Sequence, residues 1–362
     1  MAEAQTVDRS EFSPLSCFSL LALVLLGTRF VQGFIFWGGA SRRLFYDFRD
    51  IAGADVAVKL DFDSAGFVAN KLTHALPGSL WVQGPLEWML QHPDLLIASV
   101  WVWTLAELAV GLGLIFGLAT RLAALTSIGL NIALMLIFGW MGSTCLDEWT
   151  MAVSGVAMSS AVFLAGGGAW SLDSLIERTA WSKRNGWTAW VLSGPLPPEC
   201  FKTLTLLLGA VAIVFTVGSY SILFGAMVSP LHSRVNFHSH HVALSDLTVA
   251  PDGAVTFDAY VDAGPDTGAA YIVAARLVDG TGATLAEWNG ETLAALPKEA
   301  IRNVYPYVWA SHFKTEKIGF SGQTGARASI TLPPPGTARA DGTPHELVLE
   351  EINGATWQGE TE

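Results

Sequence analysis

Hydrophobic residues run in long blocks through the first two thirds of this chain and alternate with polar ones through the rest. Five blocks, 15–39, 95–118, 122–141, 149–168 and 203–228, each reach the length of about 20 apolar residues that a helix needs to cross a bilayer core. The first follows an acidic leader, MAEAQTVDRSEF, and no small-x-small cleavage site follows it, so it is expected to be a retained span rather than a signal peptide. Beyond 228 the period changes. VALSDLTVAPDGAVTFDAYVDAG alternates apolar and polar residues around Pro-Asp-Gly, and AYIVAARLVDGTGATLAEWNG does so around Asp-Gly-Thr-Gly, which predicts two β-hairpins. ETLAALPKEAIRN predicts one short helix, and ARASITLPPP and HELVLEEING predict further strands.

These elements predict a four-helix membrane bundle with a fifth helix as anchor, followed by an extracytoplasmic β-sandwich. The expected divisions are a bundle over 1–200 with a long outer loop at 40–94, the anchor at 201–230 and the sandwich at 231–362. Composition agrees: 51% of residues are hydrophobic and 14% charged, where a soluble chain carries about 25% charged residues.

Basic residues orient the spans. With the N-terminus inside, the inner segments hold Arg9, Arg121, Arg178, Lys183, Arg184 and Lys202, and the short outer turn 142–148 holds none. The expected location is therefore the cytoplasmic (inner) membrane, with the C-terminal domain outside. The long outer loop breaks the pattern with Arg42, Arg43, Arg49, Lys59 and Lys71, a set suited to attracting an anion. From Ser229 onward eight basic residues face sixteen acidic ones, a balance that excludes nucleic acid as a partner. The three cysteines, Cys17, Cys145 and Cys200, are spread so that no pair is expected to meet as a disulfide. There is no haem, flavin or iron–sulfur motif.

Three polar residues fall at similar depths in the first three spans: Arg29, Glu107 and Asn131. A lone charge at the bilayer centre costs several kcal/mol, so Arg29 is expected to meet Glu107. Two readings of this layer stand. It is packing glue, or it is a quinone-headgroup site in which Arg29 and Asn131 donate to the carbonyls and Glu107 relays protons.

ELAVGLGLIFGLATRLAAL (107–125) resembles the signature of the DoxX-like superfamily of four-helix membrane proteins. RFVQGFIFWGGASRRL, KLTHALPGSLWVQGPLEWML and GSTCLDEWTMAVSGVAMSSAVFLAGGGAWSLD resemble the DoxD-type membrane subunit of thiosulfate:quinone oxidoreductase. GPDTGAAYIVAARLVDGTGATLAEWNGETLAALPKEAIRN resembles its DoxA-type soluble subunit, in the order of the fused form. The resemblance implies oxidation of two thiosulfates to tetrathionate outside the cytoplasm, with membrane quinone as electron acceptor.

Several residues suit that chemistry. Arg42, Arg43, Lys71 and His74 are candidates for binding the thiosulfate dianion, with lipid headgroups as the alternative ligand of the arginines. Cys145, in STCLDEW, is a candidate nucleophile with Asp147 or Glu148 handling protons, although neighbouring carboxylates raise a thiol pKa. HSRVNFHSHH offers His238, His240 and His241 as weak metal ligands, against the plainer reading of solvated linker histidines. Arg302 and His312 would help the sandwich close the outer mouth. The competing functional reading is a non-catalytic assembly or lid subunit of a respiratory quinol oxidase; a homo-oligomer is compatible with either.

Overall fold

The computed structural model describes residues 14–51, 54–141, 147–224, 239–334 and 345–361. The chain divides into two compact units. One combines Met1–Phe48, Trp101–Leu134 and Thr150–Tyr220; the other combines Arg49–Val100, Met135–Trp149 and Ser221–Glu362. The long loop expected to belong to the helical domain therefore clusters with the sandwich.

In chain order the helical region comprises α1 (Pro14–Val24), α2 (Leu26–Ser41) and a π-helical turn (Arg42–Tyr46), then a small two-stranded sheet of β1 (Phe48–Ile51) and β2 (Ala54–Ala57). It continues through α3 (Asn70–Ala75), α4 (Gln83–Leu90), α5 (Pro93–Phe116), α6 (Thr120–Phe138) and α7 (Asp147–Ala165). Three short helices, α8 (Leu172–Glu177), α9 (Ala180–Arg184) and α10 (Thr188–Val191), lead into α11 (Pro198–Phe224). Among the described residues four helices, α5, α6, α7 and α11, are long and apolar enough to cross a membrane. The first apolar block bends instead of forming one straight helix. Leu25 departs from helical geometry (ψ 6°), yet Leu25 N–H bonds Leu21 and Arg29 N–H bonds Leu25, so the ladder carries through the bend. Only 6% of the apolar window of α11 is buried, against 33–44% for the other three, as befits a peripheral helix; Leu204 and Leu208 pack it onto the Phe36–Leu114–Val162 core.

Glycines set the register of α2 against α5. A Cβ on Gly111 would lie 2.6 Å from the Trp37 backbone nitrogen, and one on Gly33 would lie 2.8 Å from that of Ile115. Backbone cannot move aside as a side chain can, so the close approach depends on these two residues. Gly111→Ala is expected to destabilise the bundle by about 1–3 kcal/mol through overpacking. Gly129→Ala, where nothing lies within 4 Å, is expected to leave the thermal midpoint unchanged; equal midpoints for the two variants would remove this account of the crossing.

The C-terminal region is all-β with two antiparallel sheets. Its strands are β3 (His241–Val249), β4 (Val255–Ala263), β5 (Ala269–Asp279), β6 (Thr284–Trp288), β7 (Ile301–Asn303), β8 (Phe313–Thr315), β9 (Phe320–Gln323), β10 (Arg327–Leu332), β11 (His345–Glu351) and β12 (Thr356–Glu360), with α12 (Gly290–Ala294) after β6. One sheet has the order β3-β4-β10-β7; the other has β12-β11-β5-β9-β8 with β6 also on β5. Both predicted hairpins form, with Gly253 and Gly282 at positive φ in their turns. Asn289 caps α12 by accepting from Thr292 N–H at 2.9 Å. Strand β4 buries every second residue, and its inward set (Val255, Phe257, Ala259, Val261) meets Ile272, Ala275, Leu277, Leu347 and Leu349 of the other sheet.

Within this second unit, segment 58–96 packs on the sandwich. Phe67, Leu76, Leu86 and Leu90 share a buried cluster with Tyr305 and Trp309. Tyr307 Oη donates to the Leu90 carbonyl (2.8 Å), Ser311 N–H donates to Thr73 Oγ1 (3.2 Å), and Lys71 Nζ lies 3.3 Å from Asp266.

Candidate functional site

Glu107 stands on α5 with Trp103 one turn before it and Thr104 beside that, a spacing that puts all three on one helix face. Trp103 Nε1 donates to Glu107 Oε1 at 2.7 Å. Arg43, in the π-helical turn that extends α2, brings Nη1 to 2.7 Å from Glu107 Oε2 and donates to Thr104 Oγ1 at 3.0 Å. Both charged side chains are buried, at 13% and 8% exposure. Gly39 leaves the room: a Cβ there would sit 3.2 Å from Glu107 Oε2. The unit is a desolvated carboxylate–guanidinium pair with an indole and a hydroxyl around it, able to hold or pass a proton at the Glu107 oxygens.

Arg29, expected to be the partner of Glu107, is elsewhere. It donates to the carbonyls of Gly167 (2.6 Å) and Trp170 (2.7 Å), and the carboxylate acting on it is Asp173. The antiparallel register explains the correction. Gly33 meets Ile115, Trp37 meets Gly111 and Gly39 meets Glu107, so Arg29 falls beside Gly117. Ten residues separate Gly117 from Glu107, about 15 Å of helix. The π-helical turn carries Arg43 to the depth where Arg29 was expected.

Arg29 belongs instead to a polar knot that satisfies helix ends. Arg121, fully buried, donates to Phe163 O at the end of α7 (2.9 Å) and to the carbonyls of Gly194 (2.6 Å) and Ala189. Asp173, equally buried, accepts from Ala119 N–H (2.7 Å) and Thr120 N–H (2.9 Å) at the start of α6, and from the hydroxyls of Thr120 and Ser193. Orphan carbonyls at one helix end thus meet cations, and orphan amides at another meet an anion. An apolar cavity of about 170 Å³ beside this knot, lined by Leu20, Leu23, Leu26 and Trp170, has no charged side chain in its lining.

Asn131 lies in a separate polar cluster. Its Nδ2 donates back to Ser127 O (2.8 Å), Gln32 Nε2 donates to Ser127 Oγ (3.0 Å), and Ser127 shares a hydrogen bond with Ser159 (2.7 Å). Gln32 is 1% exposed and its Oε1 has no hydrogen-bond partner among the described residues. The sequence reading missed Gln32, Trp103, Thr104, Arg121 and Asp173; the i, i+3 and i+4 spacing of Trp103 and Thr104 against Glu107 was the available signal for two of them.

The four expected anion ligands do not act as a set. Arg43 is neutralised by Glu107, whereas Arg42 is exposed and 4.0 Å from Asp47. Lys71 and His74 fall in the other compact unit. There Lys71 is paired with Asp266, and burial pushes His74 below the usual histidine range, leaving a neutral ring with Nδ1 3.4 Å from Ser311 Oγ. Cys145 and the side chain of Asp147 lie outside the described residues; Glu148 is half-buried in the first turn of α7.

His238 also lies outside the described residues, and His240 tucks against Gly264 and Gly268. His241 Nδ1 is 2.5 Å from Asp262 and its ring packs edge-on against Trp357. Among the described residues no group of three His, Cys, Asp or Glu side chains is placed to hold a metal ion. His312 is tied to the Tyr305 carbonyl (2.8 Å), and Arg302 is an exposed residue of β7.

Comparison with protein families covers most of the chain in two parts. Residues 45–208 match the family model for TQO small subunit DoxD, and residues 224–360 match that for TQO small subunit DoxA. The first match contains Glu107, Trp103, Thr104, Arg121 and Asp173, while Arg29 and Arg43 precede it. With both regions on one polypeptide, the chain belongs to the fused DoxD–DoxA family of thiosulfate:quinone oxidoreductase subunits.

Proposed function

We propose that this protein oxidises thiosulfate at the outer face of a membrane and delivers the electrons to quinone in the bilayer. The family supports the substrates. The observation that carries the mechanism is Glu107, on a helix long and apolar enough to cross a membrane and paired there with Arg43 at 2.7 Å, because intramembrane ionisable residues are retained chiefly where protons or ligands are handled. Two thiosulfate dianions form one S–S bond, giving tetrathionate and releasing two electrons. Quinone, when bound, takes up those electrons with two protons. Glu107 takes up a proton from outside and hands it to a ligand oxygen, Arg43 compensates the carboxylate left after each transfer, Trp103 orients the carboxylate and Thr104 the guanidinium. Gln32, whose Oε1 has no hydrogen-bond partner among the described residues, supplies an amide acceptor to a ligand hydroxyl, while Asn131, donating to Ser127, supports that cluster. The sandwich, tethered through α11, keeps its own surface at high effective concentration at the membrane.

Purified full-length protein in detergent tests this directly. Adding thiosulfate is expected to reduce decylubiquinone, with one quinol and one tetrathionate formed for every two thiosulfates consumed. Reduction that appears only when a terminal oxidase is added back would overturn the proposal in favour of a non-catalytic lid or assembly subunit.

A further inference from the structure

The segment between α7 and α11 turns the usual polarity of a protein surface inside out. Its short helices are capped from within: Ser171 Oγ accepts from Ser174 N–H (3.2 Å), and Thr179 Oγ1 accepts from Ser182 N–H (3.3 Å). Their buried side holds hydroxyls and a carboxylate. Ser182 Oγ donates to Thr188 Oγ1 (3.2 Å), Thr188 donates to the Asn185 carbonyl (2.7 Å), and Asp173 belongs to the polar knot. Their outer side holds indoles. Trp170, Trp181, Trp187 and Trp190 are 46–75% exposed, and Leu172 and Leu175 are exposed with them. Trp181 and Trp187 meet edge to face with ring centroids 5.6 Å apart, so they present one apolar surface.

Four exposed indoles on one short segment mark an interaction surface. The chain ties that surface to a bilayer at both ends. Helix α7 ends at Ala165, five residues before Trp170, and α11 begins at Pro198; both are long and apolar enough to cross a membrane. Tryptophan favours the headgroup level because its ring is apolar while its N–H can meet water or an ester oxygen. Charge then selects the lipid. Arg178, Arg184 and Lys202 are exposed, and none has a salt-bridge partner among the described residues. Of the acidic residues in 169–202, Asp173 is buried, half-buried Glu177 accepts from Ser193 N–H at 3.0 Å, and Glu199 is exposed. Three outward cations thus face one outward carboxylate, in a chain whose net charge is -12. The apolar cavity of about 170 Å³ shares Trp170 with this surface, and Leu20 and Leu23 of its lining are exposed as well.

We propose that residues 169–202 form an interfacial platform that selects anionic phospholipid. The indoles lie at headgroup level, Arg178, Arg184 and Lys202 pair with phosphate oxygens, and the cavity beside Trp170 takes hydrocarbon. The platform does not depend on the reaction proposed above, and no bond is made or broken there.

Native mass spectrometry of the full-length protein, released from micelles holding equal amounts of phosphatidylglycerol and phosphatidylcholine, reads the selection. A cation near an anionic surface is worth about fivefold in partition. Wild type is therefore expected to retain phosphatidylglycerol about fivefold or more over phosphatidylcholine. The variant Arg178→Gln/Arg184→Gln/Lys202→Gln should fall to parity, with its thermal midpoint in phosphatidylcholine micelles unchanged because all three side chains are exposed. Wild type at parity, or a triple variant that keeps the preference, would overturn the proposal. Depth is read in vesicles. Trp181→Phe/Trp187→Phe should lose emission that a nitroxide near the lipid headgroup quenches and one at the chain end does not. Lost emission that neither label quenches, from a wild type that runs as a dimer, would assign the surface to a second copy of the chain and sink the lipid reading.

Discussion

Glu107→Gln is expected to abolish thiosulfate-dependent quinone reduction, lowering kcat about 10²- to 10⁴-fold, the usual worth of a positioned proton donor. The amide oxygen still accepts from Trp103, so the rotamer survives while the transferable proton is lost. The substitution also strips Arg43 of its counter-charge, and an uncompensated buried charge costs about 3–5 kcal/mol. Stability and turnover must therefore be read separately. In the double variant Arg43→Gln/Glu107→Gln no charge is stranded, so its thermal midpoint should recover toward wild type while turnover stays lost. A double variant that regains activity would reduce the pair to a structural tie.

Loss of Asp173 is expected to be the most damaging single change outside that pair. In Asp173→Ala, two backbone amides at the start of α6 and the hydroxyls of Thr120 and Ser193 lose their acceptor, and Arg29 and Arg121 lose an acting carboxylate. Leaving several buried donors without their acceptor costs about 1–3 kcal/mol each, together a large fraction of a typical folding free energy. The expected result is little or no monodisperse protein on size exclusion. Arg29→Gln is expected to share this phenotype in milder form, with fewer assembled molecules but a normal kcat for each. An Arg29→Gln protein that assembles fully yet fails to reduce quinone would return Arg29 to the acceptor site.

The helices and hairpins were legible because their signals are local. Apolar blocks of spanning length at 95–118, 122–141 and 149–168 became α5, α6 and α7, and the Asp-Gly turns became the β3–β4 and β5–β6 hairpins. Short strands such as β7, β8 and β9, three or four residues each, left no readable period, since their ends are set by partners far along the chain. Glu107 was legible as a functional candidate because an isolated carboxylate in an apolar block is costly wherever it points. Its partner was not legible. Arg29 and Arg43 are both plausible by composition, and the choice between them is a matter of axial register.

By itself, the sequence determined that this is a membrane protein with long apolar helices and a C-terminal β domain, and which charges must be compensated within the hydrocarbon. Hydrophobic period and the cost of burying charge act residue by residue, so both can be read along one strand of text. Only the tertiary structure decided that Arg43 answers Glu107 while Arg29 closes helix ends, and that segment 58–96 packs on the sandwich. Those outcomes depend on where Gly33 and Gly111 let two helices touch and on which face of a sheet a distant segment covers, and no local pattern encodes either.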